Sequence, residues 1–185
     1  MAYLGENGVK YEGMRVSEAA RELGTSPLDA YIMLCDLSKN AGRINQYRYS
    51  TEEIIQKLSR EPNVLYMTDA WIEKKGVQNP AAYDCFPKFL KRALEGRGES
   101  MPLAIRKMSG AVADRFMLAD RGYLRPGCYA DVTVFDEAAL RAGKPNLFDA
   151  FGVTGVFING KEVLKDSIAQ EQALRFAGKA MRAGR

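Results

Sequence analysis

Histidine is absent from the 185 residues. Its absence excludes Ser-His-Asp and Cys-His nucleophilic catalysis and removes the ligand that catalytic zinc sites nearly always use. Acid–base chemistry here must rest on carboxylates, Lys, Tyr or Cys. Cysteine is sparse: Cys35, Cys85 and Cys128 stand far apart, with no CxxC pair for a zinc knuckle or a thioredoxin-like exchange site. An odd cysteine count and no signal-peptide pattern point to a reducing, cytoplasmic setting. No apolar run reaches the length of a bilayer span, so no membrane contact is expected. An excess of one charge is missing too. The net charge is only +4, with Lys and Arg interleaved among Asp and Glu, which is not the basic stripe of a nucleic-acid binder. The tail from Arg175 to Arg185 lacks acidic residues and reads as a helix end whose cations suit the macrodipole.

The remaining composition, 46% hydrophobic with 10% aromatic residues, is that of a globular protein of one domain or somewhat more. The first half reads as helical. Val16–Leu23 is a short helix, and Ser26-Pro27 opens a second with a Ser N-cap and Pro at the first position. In that second helix Leu28, Tyr31, Ile32 and Cys35, with Leu34 beside them, recur at helical spacing, which predicts that they form its buried face. Ser50 with Glu53 predicts a capping box for a helix over 51–59. Val64 to Met67 is a short continuous apolar run, the pattern of a buried parallel strand, ending at Thr68-Asp69. Helices are expected over 83–94, from Ser100 to Met108, and over 111–118. From Gly122 the pattern changes. Ala130 to Phe135 alternates as a strand, and Asn159-Gly160 between the apolar runs 153–158 and 161–164 is a strong hairpin signal. A last helix is expected from Ile168 to Met181. Asp131 and Asp136 read as turn residues. Strands this few would leave long unpaired edges if nothing covered them.

The order of these motifs resembles a known family. Ala104-Ile105-Arg106-Lys107-Met108-Ser109, then Leu118 to Gly122, Leu124 to Asp136, and Asn159 to Val163 are similar to the closing segment of the amidohydrolase superfamily. Tyr66-Met67-Thr68-Asp69, the run Asn79 to Pro87, and the helix pair from Ser17 to Ala30 resemble its N-acyl-D-amino-acid deacylase branch. The resemblance runs from about Gly13 to Val163. It implies an α/β fold: the last strand or strands and helices of a TIM barrel, plus the C-terminal part of a small β-sandwich. The expected division is 1–118 barrel-derived, 119–166 sandwich, and 167–185 C-terminal helix and basic tail.

In that family a carboxylate ends the last barrel strand, and the resemblance places Asp69 there. A residue at that end of a strand faces the active site and can pass a proton to the leaving nitrogen. Tyr66 and Tyr83 would line the wall. The family's histidine ligands have no counterpart, so the resemblance implies zinc in a full-length parent and no cofactor in this chain. The chain also departs from the family pattern. Thr68-Asp69-Ala70 stands for Ser-Asp-Gly, and Asn79-Pro80-Ala81 for His-Pro-Arg, removing an arginine that would grip a substrate carboxylate bidentately. Lys74, Lys75 and Lys88 are the nearby cations. Cys85 reads more simply as a buried structural thiol than as a nucleophile, and Glu52 and Glu53 as first-turn helix carboxylates.

Three readings follow. The first is a C-terminal fragment of an amidohydrolase acting on non-peptide C–N bonds, inert alone. The second is a subunit of a split enzyme whose partner, a missing N-terminal half, brings the metal ligands. The third is a non-enzymatic assembly or binding module. All three predict self-association through exposed strands.

Overall fold

The computed structural model describes residues 1–46, 50–69, 72–143 and 151–180. These fall into two compact units. One comprises the described residues of Met1–Tyr49 and Asp69–Ala82, the other those of Ser50–Thr68 and Tyr83–Arg185.

In the first unit a short turn of helix, α1 (Gly5–Gly8), and a 3-10 turn (Val9–Tyr11) precede α2 (Val16–Leu23) and α3 (Pro27–Leu37). The Glu18 carboxylate accepts the Arg15 N–H at 2.7 Å and opens α2. Gly24, at φ +65, closes it, and the Thr25 N–H reaches back to the Ala20 carbonyl at 3.0 Å; this left-handed stop is where glycine is favoured. Ser26 then caps α3 as the sequence predicts, its hydroxyl oxygen accepting the Asp29 N–H at 3.1 Å. Leu4, Ala19 and Leu34 form the core, with Met1, Tyr11 and Leu37 against it.

The expected buried face of α3 is observed only at Leu34 and, in part, at Cys35. Ala30 and Leu34 point inward, whereas Leu28, Tyr31 and Ile32 are 67%, 41% and 50% exposed. Packing explains the choice. Ala19 and Ala20 on α2 and Ala30 on α3 are small enough to let two backbones approach, and that contact selects the Ala30–Leu34 ridge over the bulkier one.

The chain start is held by paired backbone bonds between Tyr3 and Arg43, the shorter 2.8 Å. The segment after residue 72 is tied to it. Val77 N–H donates to the Ala2 carbonyl at 2.7 Å, and Gly76, at φ +82, passes so close that an added Cβ would sit 2.2 Å from that oxygen. Only glycine fits there.

The second unit begins with α4 (Glu52–Arg60). Its N-cap is Thr51, whose hydroxyl accepts the Ile54 N–H at 3.3 Å, so the cap falls one residue after Ser50 and the expected box, which needs an acidic or amide side chain three residues on, does not close. No strand forms at Val64–Met67. A strand needs a neighbour, and among the described residues the sheet is assembled from 132 onward. α5 (Ala81–Leu94) starts two residues earlier than expected because the Asn79 side-chain oxygen accepts the Ala81 N–H at 3.1 Å. α6 (Met101–Met108) matches its expected extent, and α7 (Gly110–Arg115) is shorter than predicted.

Four antiparallel strands follow in the order β1-β2-β3-β4: Val132–Phe135, Val153–Ile158, Lys161–Lys165 and Ile168–Ala169. The Asn159-Gly160 hairpin stands as predicted, with φ +50 and +78. Two elements differ. A helix, α8 (Glu137–Ala142), follows β1, capped by the Asp136 carboxylate accepting the Ala139 N–H at 2.7 Å. Residues 168–169 pair with β3 instead of starting the last helix, and α9 spans Glu171–Ala177; the turn before β4 uses Asp166 and Ser167 at positive φ, a signal weaker than Asn-Gly. Leu90, Leu140 and Phe151 form the core, with Leu94, Met101, Met108 and Phe135 around it.

Asp131 is not a bare turn residue. Its carboxylate pairs with the buried Arg121 guanidinium and accepts the Asn159 N–H at 2.7 Å. Arg121 also donates to the Asn159 side chain at 2.7 Å and lies 4.4 Å from the Tyr129 ring centroid. Asn159 in turn donates to the Ala177 carbonyl at 2.6 Å. Removing the guanidinium strands a carboxylate and an amide oxygen, so Arg121→Met should lower unfolding free energy by about 2–3 kcal/mol, measured by urea denaturation; an unchanged midpoint would show the node to be dispensable.

Candidate functional site

Asp69 is exposed, with its backbone in the left-handed region at φ +45, a conformation that Asp tolerates better than most residues. It belongs to the first unit, and Tyr83, half-buried in the first turn of α5, to the second. Pro87 lies inside α5 and has no N–H to give the Tyr83 carbonyl.

In the second unit the segment before Asp69 is fixed by side chains rather than by a sheet. The Tyr66 ring stacks on Phe89 at 4.2 Å between centroids. Its hydroxyl donates to the Glu99 carboxylate, and the Lys107 ammonium sits 5.4 Å from the ring centroid. Lys107 is wholly buried and donates to the Ser59 carbonyl. The Cys85 thiol donates to the Met67 carbonyl at 3.1 Å. Arg92, also buried, pairs with Glu52 at 2.7 Å and donates to the Arg97 carbonyl at 2.9 Å, while its Nε has no partner.

These environments set the charges. Burial, then the bond to Glu99, holds the Tyr66 phenol well above its usual range. Burial pushes the Asp84 carboxyl up, partly offset by Lys88. Burial, reinforced by Asp84, also raises the Cys85 thiol; with little thiolate, Cys85 is a structural donor and not a nucleophile. Glu52 is held low by hydrogen bonding to Arg92. Glu99, Arg92 and Lys107 were not predicted as members of this cluster. The available signal is Lys107 at three residues from Ala104 on one helix face, which marks burial only if a lysine is admitted to an inner face.

In the first unit Asn79 spends its side chain as the cap of α5. Lys74 and Lys75 are exposed and border an open depression of about 560 Å³ with Tyr3, Arg43, Ile72 and Glu73. There Arg43 is committed, to Glu73 at 2.9 Å and to the Lys75 carbonyl at 2.7 Å. The donor set does not fit a catalytic zinc. The sequence has no imidazole, and among the described residues no three Cys, Asp or Glu side chains converge, where such a metal needs three protein ligands. Among the described residues no helix is long and apolar enough to cross a membrane.

Burial holds the Lys107 ammonium below the usual lysine range, so the unfolded chain binds that proton more tightly and folding carries a cost while lysine is charged. The cost is relieved as pH rises from the folded value toward the unfolded 10.5. Tyr66 acts in the opposite sense: its contribution is intact below the unfolded value of 10.0 and is lost above it. Denaturant titrations between pH 7 and 11 should show stability rising on the alkaline side of neutrality and falling beyond about pH 10. Lys107→Met should flatten the rise, and Tyr66→Phe, which leaves Glu99 without its donor, should cost about 1–3 kcal/mol.

No family model matches the chain. A D-aminoacylase of Alcaligenes xylosoxydans xylosoxydans is 37% identical over 95 residues, 48% of this chain and 19% of the relative. An N-acyl-D-aspartate deacylase of the same organism is 32% identical over 89 residues, 46% of this chain and 18% of the relative. The matched stretch is thus about a fifth of the length of these curated relatives. A solved D-aminoacylase, described for the role of its binuclear metal centre, superposes with TM-score 0.66 at 25% identity, over 85% of this chain and 33% of that one. The N-acyl-D-glutamate deacylase of Bordetella bronchiseptica, solved with zinc and a phosphonate inhibitor, gives 0.65 at 21% identity, over 91% and 36%, a likeness of fold. In sequence over about half its length, and in fold over most of it, the chain is similar to part of a D-aminoacylase-type amidohydrolase.

Proposed function

We propose that this chain supplies one part of a metal-dependent amidohydrolase that cleaves the C–N bond of N-acyl amino acids, and that it does not hydrolyse them alone. The reading is carried by one conjunction: a D-aminoacylase-like chain in which histidine does not occur. In this reading the helices before residue 119 derive from the end of a (β/α) barrel. The sheet from Val132 to Ala169 is then the C-terminal part of a β-sandwich, and the zinc belongs to the remaining portion of the enzyme. The contribution of this chain is a carboxylate: Asp69 acts as general acid/base toward the leaving nitrogen, with Tyr83 against the substrate. The free cysteines 35, 85 and 128 suit the reducing cytoplasm.

The unguarded edge of β1 favours a subunit of a split enzyme over a binding module. Its sequence, Val-Thr-Val-Phe, pairs among the described residues with β2 on one side only and carries no Lys or Pro, the devices that usually discourage strand addition. The occupant of that edge in this reading is a chain bearing the metal ligands or a second copy.

The purified chain should contain no stoichiometric zinc and turn over no N-acyl-D-amino acid with zinc added. Stoichiometric metal with turnover abolished by Asp69→Asn would sink the proposal. Coexpression with a ligand-bearing N-terminal portion of a D-aminoacylase should restore activity. In that assembly Asp69→Asn should lower kcat by about 10²–10⁴-fold, the usual worth of a positioned proton donor, and full activity in the Asn variant would remove Asp69 from the mechanism.

A further inference from the structure

The face of α3 turned away from its core is apolar and complementary to itself. Its residues are Leu28, Tyr31, Ile32 and Cys35, the first three exposed and the last half-buried, and they form one stripe along the 11-residue helix. Their positions are symmetric about the point between 31 and 32. Laid antiparallel on a copy of itself, the stripe sets Leu28 against Cys35 of the second copy and Tyr31 against its Ile32. Large thus meets small at both ends, and an aromatic ring meets a branched aliphatic side chain at the centre.

We propose that this face is a two-fold interface with a second copy of the chain, α3 packing antiparallel on α3 about an axis between Tyr31 and Ile32. Charge agrees with that arrangement. Asp36 lies in the last turn of its own helix, where the macrodipole disfavours a carboxylate. In the antiparallel pair it comes beside the Pro27 end of the other α3, where the positive end of the macrodipole favours one. Asp29, the other acidic residue of α3, is already occupied by the Ser26 hydroxyl and by that of Thr25. An isologous contact closes on itself, so the product is a dimer and not a fibre. A helix of 11 residues is roughly 16 Å long. A face of that size falls short of the roughly 1,000 Å² of a standing interface, and the dimer is therefore weak and concentration-dependent. The proposal stands apart from the hydrolase reading and uses a different surface from the β1 edge.

Sedimentation equilibrium of the full chain, under reducing conditions from about 10 µM to 1 mM, tests it. The wild-type chain should follow a monomer–dimer equilibrium. Ile32→Asp should weaken it about tenfold or more, and Leu28→Glu serves if that variant loses its helical signal; both sites are exposed. Asp36→Asn should weaken it about threefold through loss of the contact with the opposite helix start. Val134→Lys, on β1, should leave it unchanged. A wild-type monomer over the whole range would overturn the proposal, as would association in Ile32→Asp as tight as wild type or association lost only in Val134→Lys. Tighter association in Asp36→Asn would overturn the antiparallel arrangement.

Discussion

A guanidinium withdrawn from water has to be answered by oxygen atoms, and the order of the larger unit depends on how Arg121 is answered. Its partners, the Asp131 carboxylate and the Asn159 amide oxygen, lie at the start of β1 and in the β2–β3 turn. Asn159 then reaches the carbonyl that ends α9. One buried cation thereby links three points far apart in sequence. The links are directional where the apolar contacts of the sheet are not. Strands of four to six residues are otherwise prone to register slips, and this node sets the pairing of Val132 with Phe157. Removing an oxygen partner costs more than the pair yields, because the guanidinium stays buried with a donor unanswered.

Lys107 imposes a second constraint of the same kind. An ammonium with no exposure is tolerated only where an acceptor and an aromatic face surround it, and Ser59 and Tyr66 provide them. Tyr66 is thereby held from three directions: by stacking on Phe89, by Glu99 and by Lys107. Segment 64–68, which has no strand neighbour, keeps a defined path through side-chain bonds in place of a backbone ladder. The Cys85–Met67 bond extends that path to the residue before Thr68. Side-chain anchoring of this sort is local and does not depend on a backbone ladder.

Much of this was legible in the sequence because the signals were local. Ser26-Pro27 and Asn159-Gly160 name a cap and a turn within a few residues and stand where expected, and the run near Val132 is a strand, although it starts at Val132 rather than Ala130 and its burial does not alternate. The failures share a different cause. The Val64–Met67 run is a strand only in company, and composition cannot report whether a neighbour exists. The face of α3 was misassigned because periodicity identifies two apolar ridges without saying which one the alanines of α2 admit. Asp131 and Asp136 look alike as residues flanking a strand, yet one answers a buried arginine and the other caps a helix. For the candidate site, Asp69 and Tyr83 were singled out by resemblance, whereas Glu99 and Lys107 were hidden by the general expectation that charges face water.

The chemical argument turns on the separability of two demands. A catalytic metal needs at least three donors fixed at short distance around one point, so its ligands must come from elements that pack rigidly together. A proton-transfer carboxylate needs only reach and a suitable approach. A chain without imidazole, whose described carboxylates are dispersed among caps, ion pairs and turns, cannot meet the first demand, but it can meet the second with a single residue. In the proposed reading that residue is Asp69, which is exposed, in a conformation that Asp accepts, and directly after a segment pinned at Tyr66 and Met67. On that proposal the two demands fall on different segments, and activity would depend on the surface that brings the metal to the carboxylate.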